Sequence, residues 1–227
     1  MITENEVQNE TQLFFVKVYG WMSVALIVTG FIAFWTSATP QLIDLVLGNN
    51  YIFALLILAE FILVAFLASW IMRMTPLTAG VVFILYSILN GLTISVIFLV
   101  FTTDSIASTF FITAGTFAIM SLYGFFTKSD LSKLGNLLFM GLIGLIIASA
   151  INLIFRNEML DWITTFVGIL VFVGLTAYDT QKIKKLNIIG NEGTDEDKKE
   201  AIIGALTLYL DFINLFLKLL RLFGKRK

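Results

Sequence analysis

Polar residues are sparse along this chain, and the apolar stretches between them run for roughly twenty positions at a time, enough for a helix to cross a ~30 Å hydrocarbon core. Seven such stretches predict membrane-spanning helices at about 13–35, 51–72, 77–101, 105–127, 135–155, 162–182 and 200–223. They fill the chain and leave no room for a linker. The expected organisation is a polar N-terminal tail (1–12), a single seven-helix transmembrane domain (13–223) and a short basic tail (224–227). The longest connection, "KKLNIIGNEGTDEDKKE", has Gly190 and Gly193 for a turn. Thr194, three residues before Asp197, predicts a capped helix start there.

The last apolar stretch is broken by a regular polar pattern. On a helical period Gly204, Thr207, Asp211, Asn214, Lys218 and Arg221 share one face, while Leu, Ile and Phe fill most of the rest. Lipid cannot satisfy such groups, so this face should meet protein or water. Thr207 and Asn214 read either as a hydrogen-bonding seam that fixes helix packing or as the lining of a polar pathway. Lys218 and Arg221 are expected to reach an interface with their long stems. Asp211 differs from them, because a carboxylate at mid-membrane costs ~2.5–3.5 kcal/mol on insertion scales and marks function by default.

A partner for Asp211 is available on the sixth span, which ends "VGLTAYDTQKIKK". Side chains tilt toward the N-terminus of their own helix, so on antiparallel neighbours Asp179 and Asp211 should converge. Two carboxyls in a poorly hydrated site do not both ionise easily and share a proton. The competing reading has Asp179 simply finishing its helix beside Lys182. Arg73, in "ASWIMRMTP", is expected either to pair with Asp179 or to anchor the second span at the membrane surface.

Composition narrows the chemistry. The 227 residues are 58% hydrophobic and 14% charged, with a mean hydropathy of +0.92, so the chain is expected to be an all-α integral membrane protein. It has no cysteine and no histidine, which removes thiolate chemistry, histidine-ligated haem or zinc, and Ser-His-Asp catalysis. A response to pH near neutrality must then come from a carboxyl. The net charge of −1 gives no reason to expect nucleic acid as a partner. Glu4, Glu6 and Glu10, with no Lys or Arg among the first twelve residues, do not resemble a cleaved signal peptide.

With the N-terminus in the cytoplasm, the inner loops hold Arg73, Lys128, Lys133, Lys182, Lys184, Lys185, Lys198 and Lys199, and the outer loops only Arg156. Lys225, Arg226 and Lys227 oppose that orientation. Either the last helix spans fully and its tail is overruled, the preferred reading, or it re-enters. Gly141, Gly144 and Ala148 predict close helix packing on the fifth span. Asn90 and Asn152 are expected to bond between helices, and Asn90 is also a candidate for lining the pathway. Glu60, inside "LILAEFILVAF", either lines that pathway from the other side or is protonated and packed.

Several stretches together resemble the bacterial branch of the Bax inhibitor-1 family: "LYSILNGLTISVIFLVFTTDSIASTFFITAG", "SLYGFFTKSDL", "FMGLIGLIIASAINLIF", "GLTAYDTQKIK" and "LYLDFINLFLKLLRLFG". The resemblance implies six helices surrounding a central seventh, and a pH-sensitive calcium leak in the bacterial inner membrane. It also carries a pH-sensing aspartate pair onto Asp179 and Asp211 and an arginine latch onto Arg73. Calcium is then a permeant ion held transiently by the two aspartates, with no cofactor, because two carboxyls supply too few oxygens for a closed calcium site. Some relatives interact with the membrane protease FtsH, so a non-enzymatic regulator is the alternative. An intramembrane aspartyl protease is the remote one: it needs Gly-x-Gly before its second aspartate, where this chain has Leu208, Tyr209 and Leu210. The expectation is therefore a channel and not an enzyme.

Overall fold

The structure, a computed structural model, describes residues 4–227, leaving aside the side chain of Glu4; Met1, Ile2 and Thr3 of the expected N-terminal tail lie outside the described residues. The helices are α1 (Glu4–Ala38), α2 (Pro40–Leu47), α3 (Asn50–Trp70), α4 (Pro76–Ile94), α5 (Ile97–Val100), α6 (Thr103–Phe126), α7 (Ser132–Phe155), α8 (Glu158–Leu186) and α9 (Asp195–Phe223). A 3-10 turn, Ile71–Arg73, follows α3. Seven of these segments are long and apolar enough to cross a membrane. The chain is an all-helical integral membrane protein.

Helix ends overrun the apolar stretches where polar residues continue the same hydrogen-bond ladder in water. α1 begins nine residues before its expected span, and α8 continues through Leu186. α2 is an additional short helix in the first connection, started by Pro40 at its first turn, a place where a missing N–H costs nothing. The third span is broken near Ser95 and Val96 into α4 and α5. Thr75 and Thr102 cap the helices that follow them, accepting from the Thr78 and Ser105 N–H groups.

The chain divides into two compact units. The first comprises residues up to Phe101, residues 186–209 and Lys227. Here α1 packs on α4 where glycine lets it approach: a Cβ on Gly80 would lie 2.7 Å from the Trp21 ring, and one on Gly91 2.8 Å from the Thr29 carbonyl oxygen. Tyr209 is wholly buried and meets Phe83 and Tyr86 edge-on, with ring centres 5.7 and 5.9 Å away. Thr194 caps α9 as its spacing predicts, accepting from the Asp197 N–H at 3.2 Å. Asp197 is itself buried; it accepts from the Gly193 N–H at 2.9 Å and pairs with Lys17 at 2.6 Å.

The second unit comprises residues 102–185 and 210–226. Leu145, Val171, Phe172, Leu175, Leu215 and Leu219 form its apolar core, and Phe212 packs against Phe110 and Phe117. The connection before α7 is clasped by the end of α8: Gln181 donates to the Ser129 carbonyl and accepts from the Leu131 N–H. The C-terminal tail bonds to the start of α6, the Thr102 N–H donating to the Lys225 carbonyl and the Lys225 N–H to the Ser105 hydroxyl. The last helix is unbroken from Asp195 to Phe223, and its end lies beside the start of α6. Gly144 has no neighbour within 4 Å of an added Cβ, so it does not carry the expected close packing. Gly141 does, an added Cβ lying 3.2 Å from Val171, and Gly124, Gly135 and Gly174 make closer approaches still.

Candidate functional site

Asp179 lies on α8 and Asp211 on α9, both within the second unit. Asp211 is buried, 5% exposed, and Asp179 is half-buried. Their carboxyls are within hydrogen-bonding reach of each other. Two ionised carboxylates only accept, so that contact becomes a hydrogen bond only when one of them carries a proton. Without one, the buried Asp211 Oδ2 has no hydrogen-bond partner. A buried unsatisfied acceptor costs ~1–3 kcal/mol, and more when charged. The cation acting on Asp179 is Lys182, one turn further along α8. The hydroxyls of Thr176 and Thr180, on either side of Asp179 in sequence, bond back to the Phe172 and Thr176 carbonyls and are not available to it.

The remaining polar stripe of α9 is largely engaged. Thr207 donates to the Ile203 carbonyl and Asn214 to the Leu210 carbonyl, each within the helix. Arg221 forms a salt bridge with Asp161 of α8, to which Asn152 of α7 also donates. The expected reach of Arg221 to an interface is therefore joined by an ion pair, and Asn152 bonds between helices. The Lys218 stem lies over Gly168, where a Cβ would meet its Cε at 2.9 Å.

Glu60 and Asn90 belong to the first unit and to a second polar group. Glu60 Oε1 accepts from the Thr93 hydroxyl at 2.7 Å, and Oε2 from Asn90 Nδ2 at 3.2 Å. The Asn90 Oδ1 accepts from the Tyr209 hydroxyl at 3.0 Å, and Tyr209 lies 2.7 Å from the Thr29 hydroxyl. Sequence reasoning missed Tyr209 and Thr29. Tyr209 is off the polar face of α9, and a single threonine in α1 gives no signal of its own. Arg73 ends the 3-10 turn exposed and enters no salt bridge among the described residues. Among the described residues no three acidic side chains gather as a metal site.

Comparison with known proteins converges on one family. The chain matches the family described as inhibitor of apoptosis-promoting Bax1 over residues 11–227. It is 49% identical to the inner membrane protein YbhL of Escherichia coli over 217 residues, covering 95% of this chain and 93% of that one. Uncharacterized proteins of Borreliella burgdorferi and Rickettsia prowazekii are 42% and 43% identical, each over 94% of this chain and 92% and 90% of their own lengths.

Proposed function

Because this chain belongs to the Bax inhibitor-1 family, we propose that it is a pH-sensitive calcium leak of the bacterial inner membrane, its N-terminus in the cytoplasm. The observation that carries the reading is the buried, unpartnered Asp211 Oδ2 beside Asp179. The pair holds one proton between its carboxyls and is the pH sensor. Loss of the proton leaves two adjacent negative charges, which attract a hard cation and draw a competing cation, the latch role carried to Arg73 by resemblance. Calcium passes as a transient guest, since two carboxyls offer at most four oxygens against the ~6–8 it prefers. Glu60, Asn90, Thr207 and Asn214 are candidate lining residues.

The burial of α9 supports the same reading. Of the apolar window of α9, 67% is buried, against at most 39% for any other span. A protease reading is disfavoured by Leu208 and Tyr209, which are both fully buried where substrate backbone would need glycine.

The test is calcium flux into proteoliposomes over a range of pH, for wild type and Asp211→Asn. Asparagine cannot share the proton, so the variant should lose the pH dependence of flux. A variant with unchanged flux and unchanged pH response rejects the sensor. Wild-type vesicles that pass no calcium at any pH reject the leak.

A further inference from the structure

We propose that a cavity between α1, α4 and the start of α9 holds one anionic phospholipid, with an acyl chain along its apolar wall and the phosphate on Lys198. Every residue that lines it belongs to the first unit. The sequence of α4 builds the wall. Leu77, Val81 and Leu85 are four residues apart, share one face of the helix and are all exposed. Gly80, buried beside them, has no side chain, and the Trp21 ring of α1 takes the space that a Cβ would need, 2.7 Å away. Ile202 of α9 completes the lining.

The result is a cavity of about 570 Å³, apolar except for Lys198. That volume falls within the ~300–1,000 Å³ of small-ligand sites. In an integral membrane protein the medium against an exposed apolar helix face is lipid tails, which are as apolar as leucine. From Pro76 to Leu85 the wall runs about 14 Å at the ~1.5 Å rise of a helix. One leaflet of a ~30 Å hydrocarbon core has about the same depth.

Charge selects the headgroup. Lys198 is the fourth residue of α9, and Pro76, the first of α4, lines the same cavity, so the cation stands at one end of the wall. Lys199 ties that end together by donating to the Met72 carbonyl at 3.2 Å. Arg73, three residues before Pro76, is exposed and enters no salt bridge among the described residues, a second cation at the same end. The acids that begin α9 are partly engaged: Asp197 pairs with Lys17, and Glu196 lies 4.0 Å from Lys199. Asp195, 3.6 Å from Lys198, is the competitor for it. Both members of that pair are exposed, and such pairs are weak. An ammonium also has three hydrogens, enough to serve a phosphate beside the carboxylate.

A partner's membrane helix is the other occupant to weigh. At ~10–12 Å across, about one turn of it would fill this volume, and it brings no anion to Lys198. A single chain with a phosphate at its end suits both the wall and the cation.

The experiment is native mass spectrometry of the full-length protein in detergent, offered equal amounts of phosphatidylglycerol and phosphatidylcholine with the same chains. Wild type should retain one phosphatidylglycerol, preferred by about fivefold or more, the gain expected from one lysine facing an anionic lipid. Lys198→Gln should lower that preference about fivefold. Lys128→Gln, on an exposed loop of the second unit, should leave it unchanged. Val81→Trp fills the wall but keeps the cation, and should retain several-fold less of either lipid. The proposal is overturned if wild type retains no lipid or holds the two equally. It is overturned too by a preference unmoved in Lys198→Gln, by one lowered as much in Lys128→Gln, or by full retention in Val81→Trp. A retained polypeptide in place of lipid would make the occupant a partner helix. The wild-type competition and the exposed Lys198 decide the matter even if Val81→Trp folds poorly. None of these outcomes depends on calcium passing through the protein.

Discussion

Replacing Gly124 by alanine should loosen the second unit at a point that also positions Asp179. Gly124 is buried on α6, and a Cβ there would lie 2.2 Å from the Ala177 carbonyl oxygen and 2.9 and 3.0 Å from its carbonyl carbon and Cα. These are backbone atoms of α8 and cannot swing aside as a side chain does. Restoring an ordinary van der Waals distance needs the two helices to part by about 1 Å. Overpacking of this kind costs ~1–3 kcal/mol. The better helix propensity of alanine returns ~0.5–1 kcal/mol. The net loss is up to about 2.5 kcal/mol, which at roughly 2–4 °C per kcal/mol for a chain of this length lowers the melting temperature by up to about 10 °C.

Gly115 is the control on the same helix, because nothing lies within 4 Å of its added Cβ. Gly115→Ala should keep the propensity gain alone, raising the melting temperature by about 1–4 °C. Thermal unfolding of both variants in one detergent reads the difference in sign. Ala177 is two residues before Asp179, so the same displacement should blunt the pH response of flux in Gly124→Ala and not in Gly115→Ala. Equal shifts of the same sign in the two variants would refute the close backbone contact.

Removing Lys17 leaves the buried Asp197 with the Gly193 N–H and no cation. Lys17→Met should cost about 1–3 kcal/mol, less than the ~3–5 of a fully buried pair because the lysine is one-third exposed. A Lys17→Met/Asp197→Asn double variant should recover part of that loss in thermal unfolding, and a Lys17→Met variant as stable as wild type refutes the pairing. Tyr209→Phe strands Asn90 Oδ1 in the core and should cost about 1–3 kcal/mol in the same assay; a neutral effect would mean that oxygen is satisfied elsewhere. At the exposed loop before α7, the Ser132 hydroxyl and then Lys185 hold the Asp130 carboxyl down to about 2. A lowered folded value stabilises above the ordinary carboxylate range, and the contribution is lost as pH falls through about 2. Ser132→Ala should move the carboxyl carbon titration midpoint upward, and an unmoved midpoint refutes the hydrogen bond's role.

Hydropathy located all seven crossings because lipid acts on every residue of a span alike, and local composition is then sufficient. It placed their ends less well because water permits a helix to continue on polar residues, as α1 does ahead of Leu13 and α8 does through Lys184 and Lys185. The break near Ser95 has no proline or charge to announce it. Close packing was harder still. Gly141, Gly144 and Ala148 have the spacing of a packing stripe, yet α7 leaves Gly144 open. Gly124 gives no pattern in sequence and makes the tightest helix approach of the second unit, because the identity of the facing backbone is not written locally. Tyr209 was hidden for a similar reason: its partners Asn90 and Thr29 lie 119 and 180 residues away.

The stripe on α9 was legible as a stripe, but its members are not equivalent, and the difference is one of hydrogen-bond supply. Thr207 and Asn214 spend their donors on carbonyls four residues back, which any helix provides. Arg221 finds a carboxylate on the next helix. Asp211 can do none of this. A carboxylate needs donors, and the carbonyls within a helix are all acceptors. Among the described residues the titratable group that reaches it is another carboxyl, Asp179. A buried acceptor facing an acceptor can be satisfied only by something from outside the chain, and a proton is the smallest candidate that fits. The regular spacing therefore marks a face, and the mismatch at a single position within it singles out Asp211 as the candidate site.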